Sequence, residues 1–385
     1  MIYLDHNATT PLDSRVCGRI IEVLQGPQLQ GNPSSVHAWG QRARALVERA
    51  RRILAHSLGA EPLEVTFTSG GTESDNLALF GAVRLLRDQG KARGILTSPL
   101  EHPAVLAAAR ALEAEGTPLR LVEVDVAGRI SPEAVARALD RDPEIGLISL
   151  SAVNHEIGNV YDVPALVAAA RGVRPDILFH CDAVQAVGKV AINFREWGAD
   201  LLSLSAHKIY GPKGVGALLH RRGLELKPLL FGGRQERGRR PGSEATALIA
   251  GFAVAVELAV AEREARVAHV RGLRQQLLGR LSELPTLCVY GDPASASNTV
   301  CVGIEGCEGQ LMLINLDLLG IMVSTGSACS AGNLDPSPVL LALGCTPEEG
   351  RSVLRISLGK DNTEADIDAL IAALPEVIAR VRAEA

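Results

Sequence analysis

Short apolar runs of strand length alternate with segments of helical periodicity along most of the first 220 residues. The run "IGLISLS" precedes the helical segment "DVPALVAAARG", and the apolar runs "DILFHCD" and "ADLLSLS" follow it. Strands that alternate with helices in this way form a mostly parallel sheet, because each crossover helix returns the chain to the same edge. The sequence therefore predicts an α/β fold with helices on both faces of one sheet.

The last third of the chain has a different pattern. A helical pattern runs from about Ala245 to Leu284, and the strand-like runs "NTVCVGI", "IMVSTG" and "VLRISLG" alternate with helices after it. A chain of 385 residues suits about two domains. We therefore predict a large domain over residues 15–260 and a smaller α+β domain made of residues 1–14 and 261–385.

Charge and hydropathy argue against several classes of partner. The net charge of -5 gives no electrostatic reason to bind nucleic acid or a membrane surface. The arginine-rich run "GGRQERGRRPG" has no interleaved aromatic residues, which favours a structural or phosphate-facing loop over a nucleic-acid site. No apolar run approaches the roughly 18 residues of a membrane-spanning helix.

The seven cysteines are scattered and contain no C-x-x-C pair. This spacing favours neither a disulfide framework nor a zinc site, so we expect no bound metal. The N-terminal run "MIYLDHNATTPLD" lacks the basic and apolar regions of a signal peptide. Together these features predict a protein of the reducing cytoplasm.

Polar side chains follow the predicted strands, where open α/β sheets bind ligands. The turn "TSGGTESDN" opens a helix whose free N–H groups would suit a phosphate, although the stretch taken alone favours a plain tight turn. Each of the other positions also has an ordinary structural explanation when it is taken alone. The positions are Gly71, Thr72, Glu101, His102, Asn154, His155, Asp182, Gln185, Ser205, His207 and Lys208.

The set as a whole indicates a cofactor. A phosphate-binding turn, a stackable imidazole, a carboxylate and a lysine at the edge of one sheet are the groups that pyridoxal 5′-phosphate requires. Lys208 ends the run "SLSAHK", where it would form the Schiff base, while Asp182 would pair with the pyridine nitrogen. The sequence therefore predicts a pyridoxal phosphate site.

Ten motifs in order along nearly the whole chain resemble the cysteine desulfurases of the NifS/IscS type. These proteins are class V aminotransferase-like enzymes of the fold-type I group, whose large domain has a sheet of the seven-stranded type. The motifs are "YLDHNATTP", "NPSSVH", "TSGGTESDN", "EHPAV", "NHEIG", "CDAVQAVGK", "SAHKIYGPKGVG", "GGRQERGRRPGSEA", "STGSACSAG" and "LRISLG".

The resemblance implies a role for each candidate residue. Lys208 carries the cofactor, His102 stacks on its ring and moves protons, and Asp182 keeps the pyridine nitrogen protonated. Gln185 bonds the phenolic oxygen. The phosphate ligands implied are Gly71, Thr72, Ser205 and His207, with Ser243 reaching the phosphate of a neighbouring subunit in a homodimer, and the substrate carboxylate ligands are Asn154 and Arg355.

Cys329 is implied as the nucleophile that takes sulfur from L-cysteine, leaving L-alanine and a persulfide. The segment "STGSACSAGNLDPSP" is small and polar, which is typical of a loop, and the thiolate is the reactive form of cysteine. The sulfur would then pass to an acceptor protein, such as an iron–sulfur scaffold. We expect the other six cysteines to be packing residues, with Cys345 the least certain.

Two positions depart from the family pattern. Ser243 stands where threonine is usual and keeps the hydroxyl, so we expect the phosphate contact to survive. His155 stands where the family commonly has a second asparagine, in the motif "NNEIG", and the sequence does not define how this change affects the site.

Two other readings stay open at this point. The first is another pyridoxal phosphate enzyme of the same fold, such as a selenocysteine lyase, a class V aminotransferase or a kynureninase-like hydrolase, none of which needs a cysteine nucleophile at position 329. The second is a non-catalytic scaffold that keeps the fold, which the combination of Lys208, Asp182, His102 and Cys329 disfavours.

Overall fold

The computed structural model describes residues 1–284, 286–292, 294, 297–326 and 335–384. Its largest feature is a seven-stranded sheet in the order β2-β8-β7-β6-β5-β3-β4, in which only β8 runs antiparallel to its neighbours. The predicted α/β fold with a mostly parallel sheet is confirmed. The strands of this sheet are β2 Val65–Thr68, β3 Gly94–Thr97, β4 Leu119–Leu121, β5 Ile145–Ser151, β6 Leu178–Asp182, β7 Leu201–Ser205 and β8 Gly216–His220.

Helices cover both faces of this sheet. Those of the first 261 residues are α1 Ser14–Gln25, α2 Ala38–Ser57, α3 Gly71–Asp88, α4 Pro103–Ala114, α5 Pro132–Arg141, α6 Val163–Val173, α7 Phe194–Trp197 and α8 Thr246–Ala261. Apolar residues of α3 and α4 pack on one face, and those of α2, α5, α6 and α8 pack on the other. Every residue of β5 and β6 is buried, as expected for strands covered on both faces.

The C-terminal part forms a second, smaller core. Its strands are β9 Leu287–Tyr290, β10 Thr299–Ile304, β11 Ile321–Met322 and β12 Val353–Ser357, and its helices are α9 Arg263–Leu281, α10 Gly309–Leu318, α11 Pro338–Ala342, α12 Pro347–Arg351 and α13 Glu364–Glu384. An antiparallel sheet in the order β12-β10-β9 packs against α9, α10 and α13.

The N-terminus belongs structurally with this C-terminal part. The strand β1, Ile2–Tyr3, pairs in parallel with β11, and Leu4 lies fully buried in the C-terminal core. These contacts agree with our division into residues 15–260 and residues 1–14 with 261–385, which we keep as a proposal.

The helical pattern from Ala245 to Leu284 is two helices rather than one. The backbone leaves helical geometry at Glu262, between α8 and α9. Apolar residues of α8 pack on the core of the large sheet, whereas those of α9 pack on the C-terminal core. The break thus turns the chain from one core to the other. The sequence does not reveal this, because both segments are helical with apolar residues at similar spacing.

No helix in the described ranges is long and apolar enough to cross a membrane.

Candidate active site

The predicted site residues gather where the strands of the large sheet end. Asp182 is the last residue of β6 and Ser205 the last of β7, and a 3-10 turn, Ala206–Lys208, follows β7 directly. His102 follows β3 by five residues. Because these strands are parallel, their carboxyl ends meet along one edge, which is the ligand-binding edge of such sheets.

The turn between β2 and α3 suits a phosphate. Gly70 precedes α3 and provides no side-chain cap for the first turn, which contains Gly71 and Thr72. Gly216 allows Gly70 to come close, since a Cβ on Gly216 would lie 2.7 Å from the Gly70 Cα. The buried Ser205 Oγ lacks a hydrogen-bond partner among the described residues. A helix N-terminus beside an unsatisfied hydroxyl fits an anion, although Thr72 is exposed.

His207 contacts the N-terminal segment. Its Nδ1 lies 3.2 Å from Thr9 Oγ1, and its carbonyl oxygen accepts a hydrogen bond from the Thr10 hydroxyl. Burial, together with the positive charges of Lys208 and Lys213, lowers the pKa of His207 to about 4. A phosphate contact by His207 would therefore involve the neutral imidazole.

Asp182 is a buried carboxylate suited to a protonated ring nitrogen. Its Oδ1 accepts a hydrogen bond of 2.9 Å from the Val184 amide. Burial raises its pKa, while that amide and the positive charges of His155 and Lys208 oppose the rise. A carboxyl group with a raised pKa binds a proton strongly and can share it with a pyridine nitrogen.

His102 is the N-cap of α4. Its Nδ1 accepts a hydrogen bond of 3.1 Å from the Ala104 amide, so Nε2 carries the hydrogen of the neutral ring. Burial, followed by the positive charges of His155, Lys208 and Arg355, lowers the pKa of His102 to about 3. The ring of His155 packs edge-to-face on it, with centroids 5.0 Å apart. We call these two side chains the imidazole pair.

The Lys208 amine lies over the N-terminal segment. Its Nζ donates to the carbonyl oxygens of Asn7 at 2.6 Å and Ala8 at 2.9 Å. The positive charge of Lys208 contributes to the lowered pKa of His102 and opposes the raised pKa of Asp182. The three groups therefore lie close together in one site.

Sequence analysis assigned no role to Asn7, which joins the two parts of the molecule. Its carbonyl oxygen accepts from Gln185 as well as from Lys208, its side-chain oxygen accepts from Lys189, and its side-chain nitrogen donates to Thr299. Asn7 lies in the motif "YLDHNATTP", but only the fold shows that this segment forms the floor of the site.

Gln185 and Asn154 make structural contacts here. The Gln185 amide donates to Asn7 and accepts from Lys189, at 2.9 and 2.8 Å. The Asn154 Oδ1 accepts from the backbone amides of Glu156 and Ile157, and its Nδ2 donates to the Leu100 carbonyl. A role for either residue in binding cofactor or substrate stays a prediction.

Arg355 is buried on β12, where it reaches the same edge. Its Nη2 donates to Asp5 at 2.9 Å and its Nη1 to the His155 carbonyl at 3.3 Å. Its Nε, also buried, has no hydrogen-bond partner among the described residues. Asp5 therefore holds the guanidinium in place and leaves the Nε hydrogen, together with the second hydrogens of the Nη atoms, for an anionic ligand such as a carboxylate. Sequence analysis assigned no role to Asp5.

Two predicted site residues stand apart from this group. Ser243 is exposed. Its loop is held to the first turn of α3 by an ion pair between Arg240 and Glu73. Cys329 lies outside the described residues, between Gly326 and Asp335. Within the described ranges, no group of three His, Cys, Asp or Glu side chains could hold a metal ion.

Glu101 is a buried acid in this site with no assigned role. Both of its carboxyl oxygens are buried, and hydrogen bonds from Ser151 offset that burial only in part. Burial and the negative charge of Asp182 raise its pKa to about 8. The folded protein therefore binds this proton well above the pH at which an unfolded glutamic acid loses it.

This raised pKa predicts a pH-dependent loss of stability. Between about pH 4.5 and pH 8 the folded state binds more protons than the unfolded state, so stability falls as pH rises, by up to about 1.4 kcal/mol per pH unit. We expect Glu101→Gln to remove this dependence. In denaturant titrations of the cofactor-free protein, its stability relative to the unsubstituted protein should increase between pH 5 and pH 8. The exposed Glu115→Gln is the control, and an equal increase there would contradict the prediction.

The groups present fit pyridoxal phosphate. An unsatisfied hydroxyl beside a helix N-terminus suits its phosphate, a buried carboxyl suits its ring nitrogen, and a neutral imidazole and a lysine complete the set.

Comparison with known proteins agrees with this site. The family described as Aminotransferase class-V matches residues 2–370. A cysteine desulfurase of Gluconacetobacter diazotrophicus is 41% identical over 385 residues, covering 99% of this chain and 94% of that protein. A solved NifS-like protein superposes with a TM-score of 0.91 at 33% identity, covering 98% of this chain and 99% of the other. The structure of SspA in complex with cysteine superposes with a TM-score of 0.80 at 32% identity, covering 94% and 100%.

Proposed function

This chain belongs to the class V aminotransferase family, and from that premise we propose that it is a pyridoxal phosphate-dependent cysteine desulfurase. The observation that carries the proposal is the convergence of Lys208, Asp182 and His102 at one edge of the sheet. The enzyme converts L-cysteine to L-alanine and places the sulfur on Cys329 as a persulfide.

The cofactor, when bound, supplies an electron sink that makes the bonds at the substrate α-carbon reactive. Lys208 holds the cofactor covalently, and its Nζ then moves the proton of the α-carbon. Ser205 and the first turn of α3 bind the phosphate, with Thr72 and His207 as further ligands. Asp182 keeps the ring nitrogen protonated.

We assign substrate binding to the side of the site that is formed by β12, the strand that contains Arg355. Arg355 binds the substrate carboxylate through its buried Nε, since Asp5 and the His155 carbonyl each accept one hydrogen bond from its Nη atoms. Asn154 would bind the same carboxylate, and Gln185 would hydrogen-bond the phenolic oxygen of the cofactor. The neutral His102 packs against the cofactor ring and moves a proton through Nε2.

Sulfur transfer is assigned to Cys329. Its thiolate attacks the substrate sulfur, the carbon–sulfur bond breaks with its electron pair left on carbon, and a proton completes L-alanine. The product on the protein is a persulfide at Cys329. This step separates a desulfurase from a class V aminotransferase, which needs no thiolate.

The direct test is a single incubation with L-cysteine in the absence of reductant. We expect alanine at up to one equivalent per active site, together with a persulfide on the peptide that contains Cys329. Turnover should then stall until a thiol removes the sulfur. Amino-acid analysis and mass spectrometry measure the two products, and continuous alanine release with an unmodified peptide would contradict the proposal.

The setting of the enzyme forms part of the same proposal. The sulfur acceptor is a protein, such as an iron–sulfur scaffold, rather than nucleic acid or membrane. Six described cysteines are free thiols, which supports a cytoplasmic location. A homodimer would bring the exposed Ser243 to the phosphate of the neighbouring subunit, and a monomeric mass in solution would contradict that assembly.

A further inference from the structure

A carboxylate lies at the end of α3 where we place the phosphate of the cofactor. Glu73 belongs to the first turn of this helix, next to Thr72. Its Oε2 accepts a hydrogen bond of 2.7 Å from the Ser69 amide, so the side chain folds back over the start of the helix. The free amides of that turn attract anions, but a phosphate group carries about 1.5 to 2 negative charges at pH 7 and an ionised carboxylate beside it would repel it.

Arg240 neutralises this carboxylate. Its Nε donates to Glu73 Oε1 at 2.8 Å and its Nη2 to Oε2 at 3.3 Å, and within the described ranges it is the one cationic side chain paired with Glu73. The two side chains are only 24% and 17% exposed, so solvent and salt screen the pair less than a surface pair. Burial alone would raise the pKa of Glu73, but the hydrogen bonds from Arg240 and Ser69 outweigh it and lower that pKa, so the carboxylate is ionised.

The loop that contains Arg240 is fixed at a second point. The buried Glu236 carboxylate accepts two hydrogen bonds from Arg51, at 2.7 and 2.8 Å, and one of 2.9 Å from the Phe67 amide of β2. Glu236 and Arg237 have φ angles of 47° and 58°, a left-handed conformation that needs such support outside glycine. Because β2 leads directly into the turn before α3, these contacts fix the backbone around Arg240 relative to that turn.

The sheet register brings the unsatisfied hydroxyl of Ser205 to the same place. Thr68, the last residue of β2, and Ser205, the last residue of β7, both pair with Gly216 of β8. The turn that follows Thr68 therefore lies level with the Ser205 Oγ, which is buried and has no hydrogen-bond partner among the described residues. An anion bound by this hydroxyl and the first turn of α3 would lie beside Glu73.

We propose that Arg240 is a positioning residue of the phosphate site, which neutralises Glu73 so that the phosphate group of pyridoxal phosphate can bind at the start of α3. The proposal rests on the function proposed above for the identity of the cofactor. It assigns Arg240 no contact with the phosphate, since its effect passes through Glu73. Loss of Arg240 alone should therefore weaken phosphate binding, whereas loss of both charges should not.

The test compares the binding of pyridoxal phosphate with that of pyridoxal, which lacks the phosphate. Both aldehydes are titrated into the cofactor-free protein, and the visible absorbance of the lysine-linked product reports binding. Arg240→Gln should bind pyridoxal phosphate about 10-fold more weakly or worse, because Glu73 keeps an uncompensated charge. Its affinity for pyridoxal should stay within about 2-fold, since no phosphate is then present to be repelled.

The double variant Arg240→Gln/Glu73→Gln distinguishes neutralisation from direct contact. Glutamine at position 73 still accepts from the Ser69 amide but carries no charge, so the double variant should bind pyridoxal phosphate within about 3-fold of the unsubstituted protein. Glu73→Gln alone should bind it at least as tightly as the unsubstituted protein. The matched control is Arg120→Gln, which breaks an ion pair of 2.7 Å with Asp142 at the opposite edge of the large sheet and should change neither affinity.

A second readout does not involve the aldehyde. Inorganic phosphate should raise the thermal unfolding temperature of the cofactor-free protein, because a ligand that binds the folded state stabilises it. This increase should be smaller in Arg240→Gln than in Arg120→Gln, and it should return in the double variant.

The outcomes separate the two proposals. If the double variant binds pyridoxal phosphate as weakly as Arg240→Gln does, Arg240 contacts the phosphate itself and the neutralising role is overturned. Equal weakening of pyridoxal binding in Arg240→Gln would also overturn it, since the change would then be structural. If the unsubstituted protein binds neither aldehyde, the proposed function fails, whereas stabilisation by inorganic phosphate that Arg240→Gln loses and the double variant recovers would still support the neutralising role.

Discussion

Replacement of Lys208 by alanine is expected to abolish turnover while the fold persists. The covalent link to the cofactor and the base at the substrate α-carbon are the same amine, so we expect activity to fall on the order of 10⁴-fold or more. The visible absorbance of the lysine-linked cofactor should disappear as well. The fold should persist because Lys208 is half-buried and its amine donates to the backbone carbonyls of Asn7 and Ala8 rather than supporting the core.

The matched control is Lys213→Ala, since Lys213 is an exposed lysine in the same glycine-rich stretch. It should keep both absorbance and turnover. Absorbance spectra, alanine release and thermal unfolding measure the three quantities. A Lys208→Ala protein that keeps its visible absorbance and its activity would show that another amine carries the cofactor. The first candidate would be the half-buried Lys189, because desolvation lowers the pKa of its amine to about 7.

Replacement of Cys329 by serine should separate cofactor chemistry from sulfur transfer. Lys208 and the phosphate-binding turn are unchanged, so the variant should bind pyridoxal phosphate and respond to L-cysteine with a change in absorbance. The rates of alanine release and persulfide formation should fall by on the order of 10³-fold or more. A thiol is partly ionised at neutral pH, whereas a serine hydroxyl is not, so serine is a much poorer nucleophile. Full desulfuration by this variant would contradict the role of Cys329 and favour another pyridoxal phosphate enzyme of the same fold.

The control for Cys329→Ser is Cys345→Ser, which should form persulfide at the normal rate. Burial raises the pKa of Cys345, and it raises the pKa values of Cys181 and Cys301 as well, so these thiols are poor nucleophiles. Our expectation that the other six cysteines are packing residues agrees with the buried positions of Cys181, Cys301 and Cys307, but it is wrong for Cys288, which is exposed.

The sequence predicted the sheet and much of its edge because those features are local. A buried run such as β6 ends in Asp182, and a run such as β7 ends just before Lys208, so strand pattern and residue type together place each group. Parallel pairing then brings the strand ends to one edge, and nothing beyond the fold class is needed to infer this.

The contacts that the sequence did not predict join residues far apart in the chain. Asp5 meets Arg355 across 350 positions, and Glu156 meets Ser337 across 181. Neither pairing leaves a periodic pattern, since each depends on how the C-terminal part packs against the large sheet. The break at Glu262 was missed for the same reason: it depends on which core each helix packs against.

The floor of the site also sets an order of events during synthesis. β1, Leu4 and Asn7 are synthesised before β11 and β12, which hold them and which follow more than 300 residues later in the chain. The large sheet, which is complete at His220, can therefore form while β1 and Leu4 still lack their partners in the C-terminal part. The newborn chain thus contains its cofactor-binding lysine before the floor of the site is anchored to the second core. Because the same segment bonds Lys208, final docking of the N-terminus completes the site and the second core in one late step.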